Sequence, residues 1–431
     1  MKRPSMKKLS IPLFAITVAM ACSPGTARAG GLSLYEVGSP DVGLAAAGYA
    51  ARAQDASTLL TNPAGMTRLQ DSEFLFGGQM LYGDLGFTQN SNTTVPGGGG
   101  DVNNAIGWVP AGSMFYVHNA SPDLKYGFGV FSNFGLAMDY GDNWVGRYTV
   151  QRATLMGLSF MPAVAYRVND QVSIGAGLNA MYGIFKTDVA INNILPGLPD
   201  GQLKLSDNEW GFGGNFGILY EASKATRFGV TYSSAVKLDF KAQPQFTNLG
   251  PGLSAALNAA GLLNGQIGLN MKVPQAVMTS VYHQLDDRWA ILGSVGWQQW
   301  SHFGRVGIEI DSNNPTSLTV NAKYNDTWHG AVGAQYRPSS LWMWSFGVAY
   351  DTSAVDDENR TTTFPVGDSW RLGAGGTYAM SKQMDINFDY ELAWGGTLPL
   401  DQTGGPLTGR LAGEYQDTSI SFFVVNFRWK L

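Results

Sequence analysis

The sequence predicts a fourteen-stranded antiparallel transmembrane β-barrel with an N-terminal plug, and three observations carry that expectation. The first is alternation. Between Met384 and Trp394 the even positions read Met384, Ile386, Phe388, Tyr390, Leu392 and Trp394, against Asp385, Asn387, Asp389, Glu391 and Ala393 at odd ones. That is a period of two, with one face for lipid and one for water. Trp342, Trp344, Phe346, Val348 and Tyr350 repeat it, as do Trp210, Phe212, Phe216, Ile218 and Tyr220, and Trp289, Ile291, Val295 and Trp297. Aromatic residues gather near segment ends, where the interfacial girdles of a barrel need them. The second observation is composition: 55 glycines, 12% aromatic and only 14% charged residues, with mean hydropathy near zero. The third is the connections, short on one side and long on the other, the asymmetry of periplasmic turns and extracellular loops.

In chain order, Lys2, Arg3, Lys7 and Lys8 precede an apolar run from Ile11 to Cys22 and then Ala27-Arg28-Ala29. This reads as a secretory signal over residues 1–29, cleaved after Ala29. Cys22 is the only cysteine, so the mature chain has neither a disulfide framework nor a thiolate metal site. Loss of the five basic residues of the signal leaves 23 basic against 33 acidic residues, a charge of −10 that argues against a nucleic-acid partner.

Residues 30–71 form the expected hatch. Asp41 to Met66 are rich in Ala and Gly and almost free of bulky aromatics, as suits a segment packed inside another object. It ends in Asn62-Pro63-Ala64, where Asn accepts a bond from a helix N-terminus and Pro is tolerated in the first turn. Residues 72–431 form the barrel. Its strands are expected at 72–90, 106–119, 124–135, 152–168, 171–188, 204–222, 225–240, 268–285, 288–303, 318–337, 342–352, 366–380, 383–396 and 416–431. Connections after even strands, such as Val168-Asn169-Asp170 and Asp286-Asp287, are turn-like, whereas Ser91 to Ala105 and Thr397 to Tyr415 read as long loops. Both termini then lie in the periplasm.

Enzyme chemistry finds no support. His118, His283, His302 and His329 fall on or near different strands without metal-ligand spacing, and no serine sits in a Gly-x-Ser-x-Gly elbow. Asp139, Asp142 and Asp356-Asp357-Glu358 read as solvated loop carboxylates, and Gly97 to Gly100 as a flexible loop. No catalytic residue, metal or cofactor is expected.

Two loops carry a different signal. Residues 190–198 expose Ile191, Ile194, Leu195 and Leu198, and residues 253–263 place Leu253, Leu257 and Leu263 near helical spacing. Extracellular loops are ordinarily polar, so apolar ones suggest a groove for hydrophobic ligands. In the third strand, the alternation through Tyr126, Phe128 and Val130 is followed by Ser132-Asn133-Phe134-Gly135, which puts polar residues and Gly where an apolar face should continue. A bulge or break in the wall is expected there.

The hatch triplet, Ser132 to Leu136, Trp144 to Tyr148, Pro162 to Arg167 and Gly175 to Asn179 fall in an order and spacing that resemble the FadL family of outer-membrane transporters for long-chain fatty acids and other hydrophobic compounds. The resemblance covers the mature chain. It implies a hatch carrying Asn62, Pro63 and Ala64 in the lumen, a groove formed by the loops after the fifth and seventh strands, and an inward kink at Asn133, Phe134 and Gly135. The function it implies is passive transport of hydrophobic small molecules, by groove capture, hatch rearrangement and lateral release. After Tyr182 the chain has Gly183-Ile184-Phe185 where some fatty-acid transporters are expected to carry an additional basic residue, which tilts the expected ligand toward the less polar and leaves Lys186 as the one candidate partner for a carboxylate. The chain is expected as a monomer in the outer membrane of a Gram-negative bacterium, in contact with lipid and lipopolysaccharide. A receptor-like outer-membrane protein or a general porin is the alternative. One departure from the usual pattern is the C-terminus, Leu431 in place of an aromatic residue.

Overall fold

The computed structural model describes residues 34–193, 197–259, 261–263, 265–311, 316–405 and 407–431. The signal read over residues 1–29 and the start of the hatch lie outside them. Fourteen strands form the barrel: Glu73–Gln89, Gly107–Asn119, Leu124–Asp139, Arg152–Arg167, Val172–Ile191, Gly201–Glu221, Thr226–Ser233, Ala276–Gln284, Trp289–Gln298, Thr327–Tyr336, Trp342–Asp351, Ser369–Ala379, Met384–Thr403 and Arg410–Lys430. Numbered first to fourteenth in chain order, each pairs antiparallel with the next, and the first pairs with the fourteenth from Glu73 opposite Lys430. Closure of this kind satisfies the backbone within each strand pair and lets strands cross hydrocarbon.

The alternation read from the sequence sets the faces. Trp344, Phe346 and Val348 of the eleventh strand are exposed, and Ser345 and Gly347 between them are buried. Aromatic pairs brace the outer face near the rims, with Trp342 stacked on Trp344 at 5.1 Å and Trp289 on Tyr336 at 4.4 Å. No helix among the described residues is long and apolar enough to cross a membrane.

Seven strands differ most from expectation at one end, and each difference builds the extracellular side. The third strand runs on to Asp139, past the expected end at 135. The thirteenth and fourteenth strands absorb most of the expected loop from Thr397 to Tyr415, because register shifts at Gly396 let their pairing resume, from Leu398 opposite Tyr415 up to Thr403 opposite Arg410. The seventh to tenth strands are instead shorter than expected. Above them the chain forms a separate four-stranded sheet of Val236–Ala242, Gln266–Val273, Arg305–Asp311 and Thr316–Asn321. Its Val236, Leu238 and Phe240 are buried against Met181 and Phe185 of the fifth strand, so this sheet lies over the lumen.

The hatch, residues 34–71 of those described, is built from turns and bends around one short helix, Thr58–Thr61, and two 3-10 turns, Val42–Leu44 and Pro63–Arg68. Almost all of it is buried. Ala45 and Ala46 take left-handed backbone conformations, φ 46° and 61°, which disfavour a side chain by about 1–2 kcal/mol each. The ninth strand holds this bend: the Ser294 hydroxyl donates to Ala46 O at 2.9 Å and accepts from Gly48 N at 2.9 Å.

The outer face makes a direct prediction. Val332 lies mid-strand in the tenth strand and is 67% exposed. Val332→Arg is expected to destabilise the barrel by about 2–4 kcal/mol in bilayer unfolding titrations. A change below a few tenths of a kcal/mol would mean that this face does not meet hydrocarbon.

Candidate functional site

The hatch triplet is seated on glycines. Asn62 caps the 3-10 turn, its Oδ1 accepting from Ala64 N at 3.1 Å, and Pro63 follows in the first position. Its Nδ2 donates to Ala50 O at 2.7 Å and to Ile218 O of the sixth strand at 3.0 Å, so one amide ties the hatch to itself and to the wall. A Cβ on Gly217 would lie 1.9 Å from Asn62 Oδ1, and one on Gly175 would lie 2.4 Å from Ala64 N. Only glycine leaves room for the triplet at these two places.

Buried charges fasten the rest. Arg52 bonds Asp41 at 2.8 Å and Asp55 at 2.7 Å within the hatch. Arg371 of the twelfth strand meets Glu36 of the hatch together with Asp351 and Glu391 of the wall. Arg227 donates to Ala51 O at 2.6 Å, and Arg428 donates to Gln54 O at 2.7 Å while it pairs with Asp385. Sequence reasoning did not assign these anchors. Their signal was present in the acids at odd positions of the thirteenth strand, the lumenal positions of that alternation.

At the third strand the pairing shifts by one residue where the alternation lapses. Phe131 lies opposite Ser159 and Phe134 opposite Gly157, so three steps on one strand match two on the other and one residue is extra. A single extra residue exchanges the two faces. Phe131 is buried below the bulge, and Phe134 above it turns inward instead of outward, 5.9 Å from Phe303. The Ser132 hydroxyl donates to Gly157 O at 3.0 Å, and Asn133 O accepts from Leu34 N at 2.9 Å, so the hatch touches the bulge. Pairing with the second strand ends at Met114 opposite Val130. Gly107 to Ser113 therefore keep only their first-strand partners among the described residues, and Pro110, Ala111 and Gly112 are exposed in succession. Gly135 lies close to the fourth strand, where a Cβ would come 2.9 Å from Met156 Cγ.

Behind the bulge is a cavity with about 90 Å³ of free space, bounded by hatch residues Leu34, Tyr35, Tyr49 and Leu60 and by Phe131, Asn133 and Phe134 at the break. Its other lining is Met161, Met181, Val236 and Met278 with the polar Asn179, Asn215, Thr231 and Gln298, and no Lys or Arg is among the described lining residues. Asn133 Oδ1 and Asn179 Oδ1 are buried and find no donor among the described residues. Over the cavity, Trp300, Phe303, Tyr324 and Phe364 form an aromatic cap, with Trp300 and Phe303 5.2 Å apart and Tyr324 and Phe364 4.7 Å apart.

The apolar loops after the fifth and seventh strands meet. Asn193 Nδ2 donates to Asn248 O at 2.8 Å, Gly250 N donates to Asn193 Oδ1 at 2.7 Å, and Gln245–Thr247 pairs with Gln202–Lys204. Leu198, 41% exposed, packs over Gly250 at the start of the helix Pro251–Ala259, which carries the half-buried Leu253 and Leu257, and half-buried Leu263 follows it. Ile194 and Leu195 lie outside the described residues. A second tie holds these loops: Arg147 bonds Asp200 at 2.7 Å, and the Tyr148 hydroxyl donates to Asp200 at 2.7 Å. Burial, and then the bond to Asp200, push the Tyr148 hydroxyl above its ordinary value, so it remains a donor.

Lys186 is not brought to the cavity. Phe185 takes the inward position and packs on Phe240, so Lys186 is exposed on the outer face. The odd-even parity of the fifth strand decides this, and the expectation of a ligand carboxylate at Lys186 fails on it.

A closed antiparallel barrel, plugged by its own N-terminal segment and carrying a bulge in its third strand beside a cavity of mixed apolar and amide lining, defines a hatch-bearing outer-membrane channel. Residues 20–429 match the family described as outer membrane protein transport protein (OMPP1/FadL/TodX), and the chain belongs to that family. It is 30% identical over 399 residues to the long-chain fatty acid transport protein of Escherichia coli O6:H1, covering 86% of this chain and 89% of that one. It is 26% identical over 427 residues to outer membrane protein P1 of Haemophilus influenzae, covering 89% and 90%. Among solved structures, a Pseudomonas aeruginosa FadL homologue superposes with a TM-score of 0.81 at 19% identity, over 93% of this chain and all of that one. The Pseudomonas putida toluene transporter TodX gives 0.68 at 16% identity, over 94% and 100%. The protein resides in the outer membrane of a Gram-negative bacterium, which it crosses with its strands.

The glycine seat is testable. Gly217→Val is expected to unseat Asn62 and raise the permeability of reconstituted liposomes to a small sugar, whereas Asn62→Ala, which adds no bulk, raises it less. Liposomes as tight with Gly217→Val as with the unmodified barrel would show that the seat does not hold the plug.

Proposed function

We propose that the protein carries hydrophobic small molecules passively across the outer membrane, and that they leave sideways through the third-strand break. What carries this reading is the continuity of the cavity lining from hatch Tyr35 and Tyr49 to Asn133 and Phe134 at the bulge. Capture starts at the apolar loop surface around Leu198, Leu253, Leu257 and Leu263. Each buried methylene favours protein over water by about 0.8 kcal/mol, so a long acyl chain gains on the order of 10 kcal/mol. Release into periplasmic water would return that free energy, and release into lipid does not. Sideways exit follows from this difference.

The free space of about 90 Å³ is smaller than the roughly 150 Å³ that holds benzene in an engineered protein cavity. A ligand therefore has to displace lining residues, and the hatch residues Leu34, Tyr35, Tyr49 and Leu60 are among those not fixed in a strand. Hatch rearrangement, with Asn62, Pro63 and Ala64 as its pivot, makes the room. The absence of Lys and Arg from the described lining favours ligands without a buried charge, because an unpaired carboxylate loses several kcal/mol on leaving water. In the same reading the barrel works as a monomer, since outward apolar residues are distributed around the wall, and it faces lipid and lipopolysaccharide.

Deleting Asn133 tests the exit. It removes the extra residue and restores regular pairing, with Ser132 opposite Leu158 and Phe134 kept inward opposite Gly157, whereas Val at Gly135 would collide with the fourth strand. The deletion is expected to lower uptake of radiolabelled oleate and toluene several-fold while binding by the purified barrel persists. Wild-type uptake in a folded, heat-modifiable deletion variant would dispose of this exit. For capture, Leu198→Asp with Leu257→Asp is expected to slow uptake at low ligand concentration only, and unchanged kinetics would remove the groove from the route.

A further inference from the structure

The third-strand break is not the only interruption of the wall. Above Ser233 the seventh strand leaves the sixth, whose residues 205–213 have no ladder partner on that side among the described residues. The hairpin of the seventh and eighth strands pairs Ser233 with Ala276, and after a gap it pairs Val236 with Val273. The two registers are the same. Nothing but Ser234, Ala235, Pro274 and Gln275 therefore interrupts a hairpin that otherwise continues unchanged, and Pro274, opposite Ala235 in that register, has no N–H to give to a ladder. At this point the chain bends inward, so that Val236 and Lys237 lie across the inner face of Gly211.

The gap is finished with side-chain and off-ladder bonds, as the third-strand bulge is. Ser234 N donates to Gly214 O at 2.8 Å, and the Ser234 hydroxyl accepts from Gly214 N at 2.8 Å. On the outer side the Tyr232 hydroxyl donates to Gln275 Oε1 at 2.8 Å, Gln275 Nε2 donates to Gln299 Oε1 at 2.7 Å, and Gln299 N donates to Gln275 O at 2.9 Å. An interruption in hydrocarbon is tolerable only when its backbone groups find such substitutes.

The cavity reaches this place. Its lining includes Gly214, Ser234 and Pro274, and also Val277 and Trp297, which stand on the outward parity of the eighth and ninth strands. One cavity is thus bounded by inward residues, by the third-strand bulge and by outward residues beside the second gap. The two interruptions stand at similar height, Ser132 and Ser234 each following eight strand residues counted from the periplasmic rim at Leu124 and Thr226. We propose that the window framed by Ser234, Ala235, Pro274 and Gln275 is a second lateral passage between the lumenal cavity and the surrounding lipid, taking the same hydrophobic ligands. This rests on the lateral-exit reading and adds a second way out to it.

Ser234 and Gln275 face each other across the window, and the mature chain has no cysteine of its own. Ser234→Cys with Gln275→Cys therefore allows a reversible staple, introduced both in the full chain and in the Asn133 deletion, with folding checked by heat-modifiable migration. Uptake of radiolabelled oleate and toluene is measured oxidised and after dithiothreitol. The expected result is that the deletion keeps residual uptake, that oxidation reduces it to the level of vesicles without protein, and that reduction restores it. Residual uptake equal in both states would overturn the window, as would a deletion variant with no residual uptake at all. Wild-type uptake in the deletion variant that oxidation abolishes would overturn the third-strand exit and leave the window standing. Wild-type uptake in both redox states would overturn both. As a second readout, a bimane on Val277→Cys is expected to be quenched by brominated lipid and shielded when toluene is added; quenching unaffected by toluene would count against passage there.

Discussion

Backbone groups in hydrocarbon must find partners inside the protein, and the architecture follows from that constraint. It requires a closed ring of strands, because an open sheet would present a row of bare amides to lipid. It also makes any opening in the wall a local chemical problem, which this chain solves twice with a serine hydroxyl and a bond from off the ladder. A channel for apolar compounds thus keeps the barrel's stability while giving up a few ladder bonds at chosen points. The hatch obeys the same rule in the lumen, where buried guanidinium groups and amides satisfy its irregular backbone.

Much of this was legible in the sequence, because a period of two with Trp and Tyr on one face leaves few alternatives. The strand number, the shorter connections on one rim and the capped turn at Asn62 all follow from local rules. The bulge at Ser132 and Asn133 showed as a lapse in alternation. What escaped was non-local. The seventh to tenth strands look continuous by periodicity, since Val236, Leu238 and Phe240 alternate as a wall strand would, yet they bury that face against the fifth strand. Pro274 was the available sign of the bend. Lys186 was misplaced because a basic residue near a motif says nothing about parity, whereas its neighbour Phe185 does. The buried charges around Arg371 join residues more than three hundred positions apart, and a local pattern does not reveal such a pair.

The cavity lining and the relatives' names point in partly different directions. The relative at 30% identity is named for long-chain fatty acids, and one of the similar folds is named for toluene. The lining offers amides, hydroxyls, methionines and aromatic rings without a fixed positive charge. An apolar body can be held there by burial alone, and a polar end is left to the amide oxygens of Asn133 and Asn179.

Arg428 sits three positions before the end of the chain and reaches both Asp385 in the neighbouring strand and the hatch carbonyl of Gln54. The strand that closes the wall against the first strand is thus also the one that clasps the hatch. A barrel lacking its fourteenth strand lacks the clasp as well as the closure, so completion of the wall and anchoring of the plug rest on the same residues.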